Sequence, residues 1–169
     1  PISANELISF ALDGLSSQPD TLILPDEARD FRVLAHRGLC GQLLTNLLQN
    51  AIKYGPEQGP SRVEIRLIPQ KDHRLRWEII DNGIGIAARH QEKIFEIFQR
   101  GAEGAATASG TGVGLAICRR IVERHGGEIG VVDRSGWTKS FDLTLPAVPG
   151  VVRPLPQPSS ARARSTATA

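Results

Sequence analysis

The chain has no methionine, and it begins at Pro1. Both are expected of a piece of a longer protein. Cysteine is scarce: Cys40 and Cys118 stand far apart, and no CxxC pair occurs. That argues against a disulfide framework or a cysteine metal knuckle, and it points to two buried thiols in a reducing compartment. No apolar run is long enough to cross a bilayer, and no signal-peptide pattern opens the chain. The expected setting is cytoplasmic, with any membrane anchor elsewhere in the full-length protein. A surplus of one charge is missing too. The net charge is +2, but Arg153, Arg162 and Arg164 all fall in the tail 149–169, which has no acid. Without them, 17 of the 20 basic residues stand against 18 acidic ones. A near-neutral body gives no footing for nucleic acid.

What is present divides cleanly along the chain. "SANELISFALDGL" carries a capping-box pattern, Ser3 with Glu6, ahead of Leu7, Ile8, Ala11, Leu12 and Leu15 at helical spacing. "TLIL" and "DFRVLAH" read as short strands around the turn-like "PDEARD". A helix is expected over 39–54, broken by "GPEQGPS". "RVEIRLIP" sets Val63, Ile65 and Leu67 on one face, and "RLRWEIID" does the same with Leu75, Trp77 and Ile79; "QKDH" joins them as a hairpin. A short helix is expected around 89–98. "RGAEGAATASG" is a run of small residues, expected to be a mobile loop. "VGLAICRRIVERHGG" is a strong helix closed by Gly126 and Gly127. "EIGVVD" and "SFDLTL" form a last strand pair. The folded domain is expected over 1–148, with 149–169 a low-complexity, unstructured tail. Strictly alternating βαβ units are missing. The expected fold is α+β: a two-layer sandwich, a mixed and mainly antiparallel sheet with about three helices on one face.

Three polar stretches carry the chemistry. At about 100° per residue, Asn46, Asn50 and Lys53 fall in one narrow stripe of "LLTNLLQNAIKYG", with Tyr54 at its edge. Leu44, Leu47, Leu48, Ala51 and Ile52 form the opposite, apolar face. An amide oxygen suits Mg²⁺ when phosphates supply the remaining charge, and a nearby Lys can reach those phosphates. A solvated helix face would look the same. "DNGIGI" puts Asp81 at a strand end, where a carboxylate can accept from a base-like amino group. Gly83 and Gly85 permit positive φ and close approach of a flat ligand; a plain β-turn is the alternative. "GTGVGL" opens the strong helix with bare backbone N–H groups, a phosphate cradle. It is neither a Rossmann fingerprint nor a P-loop, since the spacing and the G-K-[ST] end are wrong. Between the glycine clusters, "IFEIFQR" sets Phe95 and Phe98 on one helical face, with Arg100 before the mobile loop.

Taken in order, these stretches resemble the N, G1, F and G2 boxes of the ATP-binding domain of sensor histidine kinases, within the gyrase, Hsp90, histidine kinase and MutL ATPase superfamily. The resemblance implies that Asn50 coordinates Mg²⁺ with Asn46 close by. It implies that Lys53 contacts phosphate and that Tyr54 lies against adenine or ribose. Asp81 would bind the adenine amino group in a pocket shaped by Gly83 and Gly85. Phe95 and Phe98 would position an ATP lid, and Arg100 would reach the γ-phosphate. Gly110, Thr111, Gly112, Val113, Gly114 and Leu115 would bind phosphates and hinge the lid, and Ser140 would hold a water near Asp81.

The same resemblance separates activities. Superfamily members that hydrolyse ATP carry Glu, a general base for water, four residues before the metal-binding Asn. Asn46 stands there and cannot take a proton, so the site suits phosphoryl transfer to a protein histidine. No phosphoacceptor motif surrounds His36, His73, His90 or His125. The implied partners are a dimerisation and phosphoacceptor domain of the same kinase, absent from this chain, and a response regulator downstream. The isolated domain is expected to be monomeric and the full protein a homodimer. A degenerate nucleotide-binding signalling module and a superfamily ATPase are the alternatives.

Overall fold

A capping box starts the first helix. Ser3 Oγ accepts from the Glu6 N–H at 3.1 Å, and Glu6 Oε2 accepts from the Ser3 N–H at 3.0 Å. Two of the orphan donors at the start of α1 (Ala4–Asp13) are thereby satisfied. The structure, a computed structural model, describes residues 1–96 and 113–149. Its other helices are α2 (Arg37–Lys53) and α3 (Gly114–Arg124).

The main sheet has five strands. These are β2 (Thr21–Ile23), β4 (Arg62–Gln70), β5 (Arg74–Asp81), β6 (Ile129–Asp133) and β7 (Lys139–Pro146), in the order β2-β4-β5-β7-β6. β2 runs parallel to β4; every other pairing is antiparallel. The alternation of β4, β5 and β7 sends Val63, Ile65, Leu67, Leu75, Trp77, Ile79, Phe141, Leu143 and Leu145 to one face, all buried. They join Leu7, Leu43, Leu44, Leu47 and Val122 in one core. The helices thus cover one sheet face, as the two-layer reading expects. The opposite face carries a charged network, in which Arg134 reaches both Glu78 and Asp142.

Two local expectations are corrected. "DFRVLAH" is not one strand: β3 is only Arg32–Val33, and it pairs with β1 (Ile2–Ser3) outside the main sheet. His36 instead caps α2, its Nδ1 accepting from the Leu39 N–H. The helix expected at 89–98 is two short 3-10 turns, Ala88–His90 and Lys93–Phe95. Neither has a side-chain cap, and Glu96 returns to extended backbone. Phe98, Arg100, the expected lid and the tail from residue 150 lie outside the described residues. Cys40 and Cys118 are free and buried, and burial pushes their thiols up to about 11 and about 12.

α3 ends in a Schellman motif. Gly126 takes φ +68°, its N–H reaching Glu123 O, and the Gly127 N–H reaches Val122 O at 2.9 Å. A Cβ on Gly127 would lie 1.9 Å from the Thr144 carbonyl oxygen. Gly127→Ala is therefore expected to lower stability by about 2 kcal/mol through forced separation of α3 from β7. A lower urea midpoint at unchanged slope checks it.

Candidate active site

The polar stripe of α2 exists as read. Leu44, Leu47, Leu48 and Ala51 are buried, Asn46 and Asn50 are half-buried, and Lys53 is exposed. α2 lies between α1 and α3, over β4 and β5 of the sheet. Asn46 faces the α3 side, where its side chain pulls the Cys118 thiol down against the larger effect of burial. One turn after Asn50 comes Tyr54, the C-terminal cap of α2. The Lys53 ammonium lies 5.5 Å from the Tyr54 ring centroid.

Tyr54 also holds the loop after β5. Its carbonyl accepts from the Ile84 N–H at 3.0 Å. A Cβ on Gly83 would lie 2.0 Å from that same oxygen. Gly83 is thus required by close approach of backbone to backbone. Neither Gly83 nor Gly85 takes a positive φ, which corrects the conformational reason expected for them. Asn82 ties the loop from the other side: its Oδ1 accepts from the Arg62 N–H at 2.7 Å, and its Nδ2 donates to Pro60 O at 3.0 Å.

Asp81 sits at the end of β5 and is 1% exposed. Its Oδ1 accepts from the Gly83 N–H and from Lys139 Nζ, each at 2.9 Å. Oδ2 is buried and has no partner among the described residues. Burial pushes the carboxyl above its ordinary range, against the pull of Lys139 and of the Gly83 N–H. A buried acceptor without a donor is costly, so Oδ2 is poised for a ligand N–H.

Ser140, expected to hold a water near Asp81, is elsewhere. Its register partner is Ile80, so its side chain lies on the opposite sheet face, where it hydrogen-bonds with Asp142. Lys139 is the partner of Asp81. Sequence reading missed it by one residue, and the period of two in a strand turns one residue into the other face.

The start of α3 closes the third side. Val113 is its N-cap and gives no side-chain cap; the first helical bond described there is Ile117 N–H to Val113 O. Among the described residues, the N–H groups of Gly114 and Leu115 therefore lack a capping side chain, as an anion site needs. A Cβ added at Gly114 would meet no atom of another described residue within 4 Å, its chain neighbours and own helix backbone aside. Phe95 is buried edge-on against Phe141, centroids 6.3 Å apart, with the Arg119 guanidinium of α3 stacked 4.4 Å from its ring. Gly110, Thr111 and Gly112 lie outside the described residues. Among the described residues no His, Cys, Asp and Glu cluster could hold a metal ion, and no helix is long and apolar enough to cross a membrane.

Comparison with known proteins places the fold in a family. The sensor histidine kinase AruS of Pseudomonas aeruginosa is 36% identical over 88% of this chain, which spans 17% of AruS. The catalytic domain of histidine kinase ThkA superposes with a TM-score of 0.69 at 29% identity, covering 86% of this chain and 95% of that domain. Full-length ShkA in complex with AMPPNP gives a TM-score of 0.66 at 25% identity, over 85% of this chain and 30% of ShkA. Residues 36–149 match the histidine kinase-, DNA gyrase B- and HSP90-like ATPases, and the chain belongs to that family.

Proposed function

We propose that the chain is the catalytic module of a sensor histidine kinase, binding Mg-ATP between α2, the 81–86 loop and the start of α3. The observation that carries this is Asp81 Oδ2, a buried acceptor with no donor among the described residues. Adenine would give its amino group to Oδ2. The N–H groups of Gly114 and Leu115 would hold phosphate, together with Gly110, Thr111 and Gly112. Lys53 would add a positive charge at the phosphates, and Tyr54 would lie against the base or ribose. Asn50, with Asn46 beside it, would hold Mg²⁺, which neutralises phosphate charge when bound. Phe95 would anchor the segment leading to Phe98, Arg100 and the lid.

The acceptor would be a histidine on a dimerisation domain, with a response regulator next in line. The terminal phosphoryl group passes from ADP oxygen to an imidazole nitrogen. Asn46 cannot act as a base for water, so transfer is favoured over hydrolysis. AMPPNP held by ShkA supports the nucleotide reading, and the AruS likeness supports the kinase reading.

The test supplies a dimerisation domain with γ-labelled ATP and Mg²⁺ and looks for acid-labile label on its histidine. ATP binding without any transfer would sink the kinase reading. Asn50→Ala is expected to weaken Mg-dependent ATP binding by about tenfold or more, with the thermal midpoint nearly unchanged, because the side chain faces away from the core. Equal Mg-ATP affinity in that variant would contradict the assignment.

A further inference from the structure

Asp81 and Lys139 are register partners on neighbouring strands, 1% and 3% exposed. Lys139 Nζ makes two bonds: to Asp81 Oδ1 at 2.9 Å and to the Ile84 carbonyl at 2.7 Å. The Gly83 N–H takes the same Oδ1. A carboxylate oxygen has about two lone-pair sites, so Oδ1 is full, whereas Oδ2 has no donor among the described residues. This asymmetry is built by one ammonium group. The β4 partner of Asp81 is Val63, and α2 approaches the loop through the Tyr54 carbonyl. Among the described residues, Lys139 is the charged group that acts on Asp81.

We propose that Lys139 is a specificity-determining residue of the base pocket: it fills Asp81 Oδ1 and pins the loop at Ile84, leaving Oδ2 as a charged acceptor that selects a purine with a 6-amino group against one with a 6-oxo group. The inference rests on the nucleotide reading above. An ionised Oδ2 attracts an N–H and repels a carbonyl oxygen, and burial sharpens both effects. Remove the ammonium, and burial favours the neutral carboxyl. A neutral carboxyl has an O–H to donate, and it can then satisfy a carbonyl as well as an amine. Selection would be lost while the pocket keeps its shape.

A merely structural role for Lys139 would weaken all nucleotides alike. The ratio of affinities separates the two roles. Calorimetric titration of the 169-residue chain with Mg-ATP and Mg-ITP measures it for the unsubstituted protein and for Lys139→Met, Lys139→Gln and Lys139→Arg. The unsubstituted chain is expected to prefer ATP. Met and Gln are expected to cut the preference by about tenfold or more, and Arg to retain it. An unchanged ratio in Met and Gln overturns the proposal, and so does an unsubstituted chain that binds both nucleotides equally. A chain that binds neither overturns the nucleotide reading, and this inference with it. The ¹³C shift of the Asp81 carboxyl in the unsubstituted chain decides the case in which the substitutions prevent folding. The ionised shift is expected at neutral pH; the protonated shift overturns the proposal.

Discussion

Gly83→Ala is expected to abolish nucleotide binding and to cost about 3 kcal/mol of stability, near the upper end for overpacking. The added methyl would lie 2.0 Å from the Tyr54 carbonyl oxygen and 3.0 Å from Asp81 Oδ1. A flexible side-chain tip could move aside, but a backbone carbonyl at a helix terminus cannot move without its helix. Relief therefore requires the 81–86 loop to leave the end of α2. The Ile84 to Tyr54 hydrogen bond breaks with it. The Lys139 bond to the Ile84 carbonyl is then strained as well. Two walls of the pocket separate, so the site and the fold fail together. A urea midpoint and an ATP titration measure the two effects. A variant with lowered stability but unchanged ATP affinity would show that the contact only holds the fold.

That contact also marks the limit of what a sequence conveys. Periodicity located α1, α2, the hairpin of β4 and β5, α3 and the last strand pair, because each has a strong apolar stripe or alternation. The polar stripe of α2 was legible for the same reason. The glycines were legible as a cluster, but Gly83 answers to a carbonyl 29 residues earlier, a long-range contact that no local pattern encodes. "DFRVLAH" failed because a two-residue strand has too little alternation to show where it stops. The region 89–98 failed because helical spacing of Phe95 and Phe98 does not by itself supply the caps a helix needs. Lys139 was passed over because a lysine in a strand reads as a solvated charge. Only the register that sets it opposite Asp81 shows otherwise.

Asp81→Asn is expected to lower ATP affinity by about 10- to 100-fold and to erase the preference for ATP over GTP. The shape of the side chain is kept, so the change is one of charge and donor pattern. The amide oxygen is expected to stay with the Gly83 N–H and Lys139 Nζ, which puts the amide NH₂ where Oδ2 stood. A donor there repels the adenine amino group and welcomes a guanine carbonyl. The substitution also leaves the Lys139 ammonium buried without its counter-charge. Breaking a buried pair in this way costs about 3–5 kcal/mol. The double variant Asp81→Asn with Lys139→Met removes the stranded charge, so it is expected to be more stable than Asp81→Asn alone. Its ATP preference should stay lost, since the donor still faces the base. Low pH should imitate the single variant in the unsubstituted chain. Burial raises the Asp81 carboxyl, so the carboxylate is lost as pH falls through that raised value, and ATP affinity should fall at a higher pH than an ordinary carboxylate would allow. ATP affinity that stays flat until the ordinary carboxylate range would show that Lys139 outweighs burial at this site.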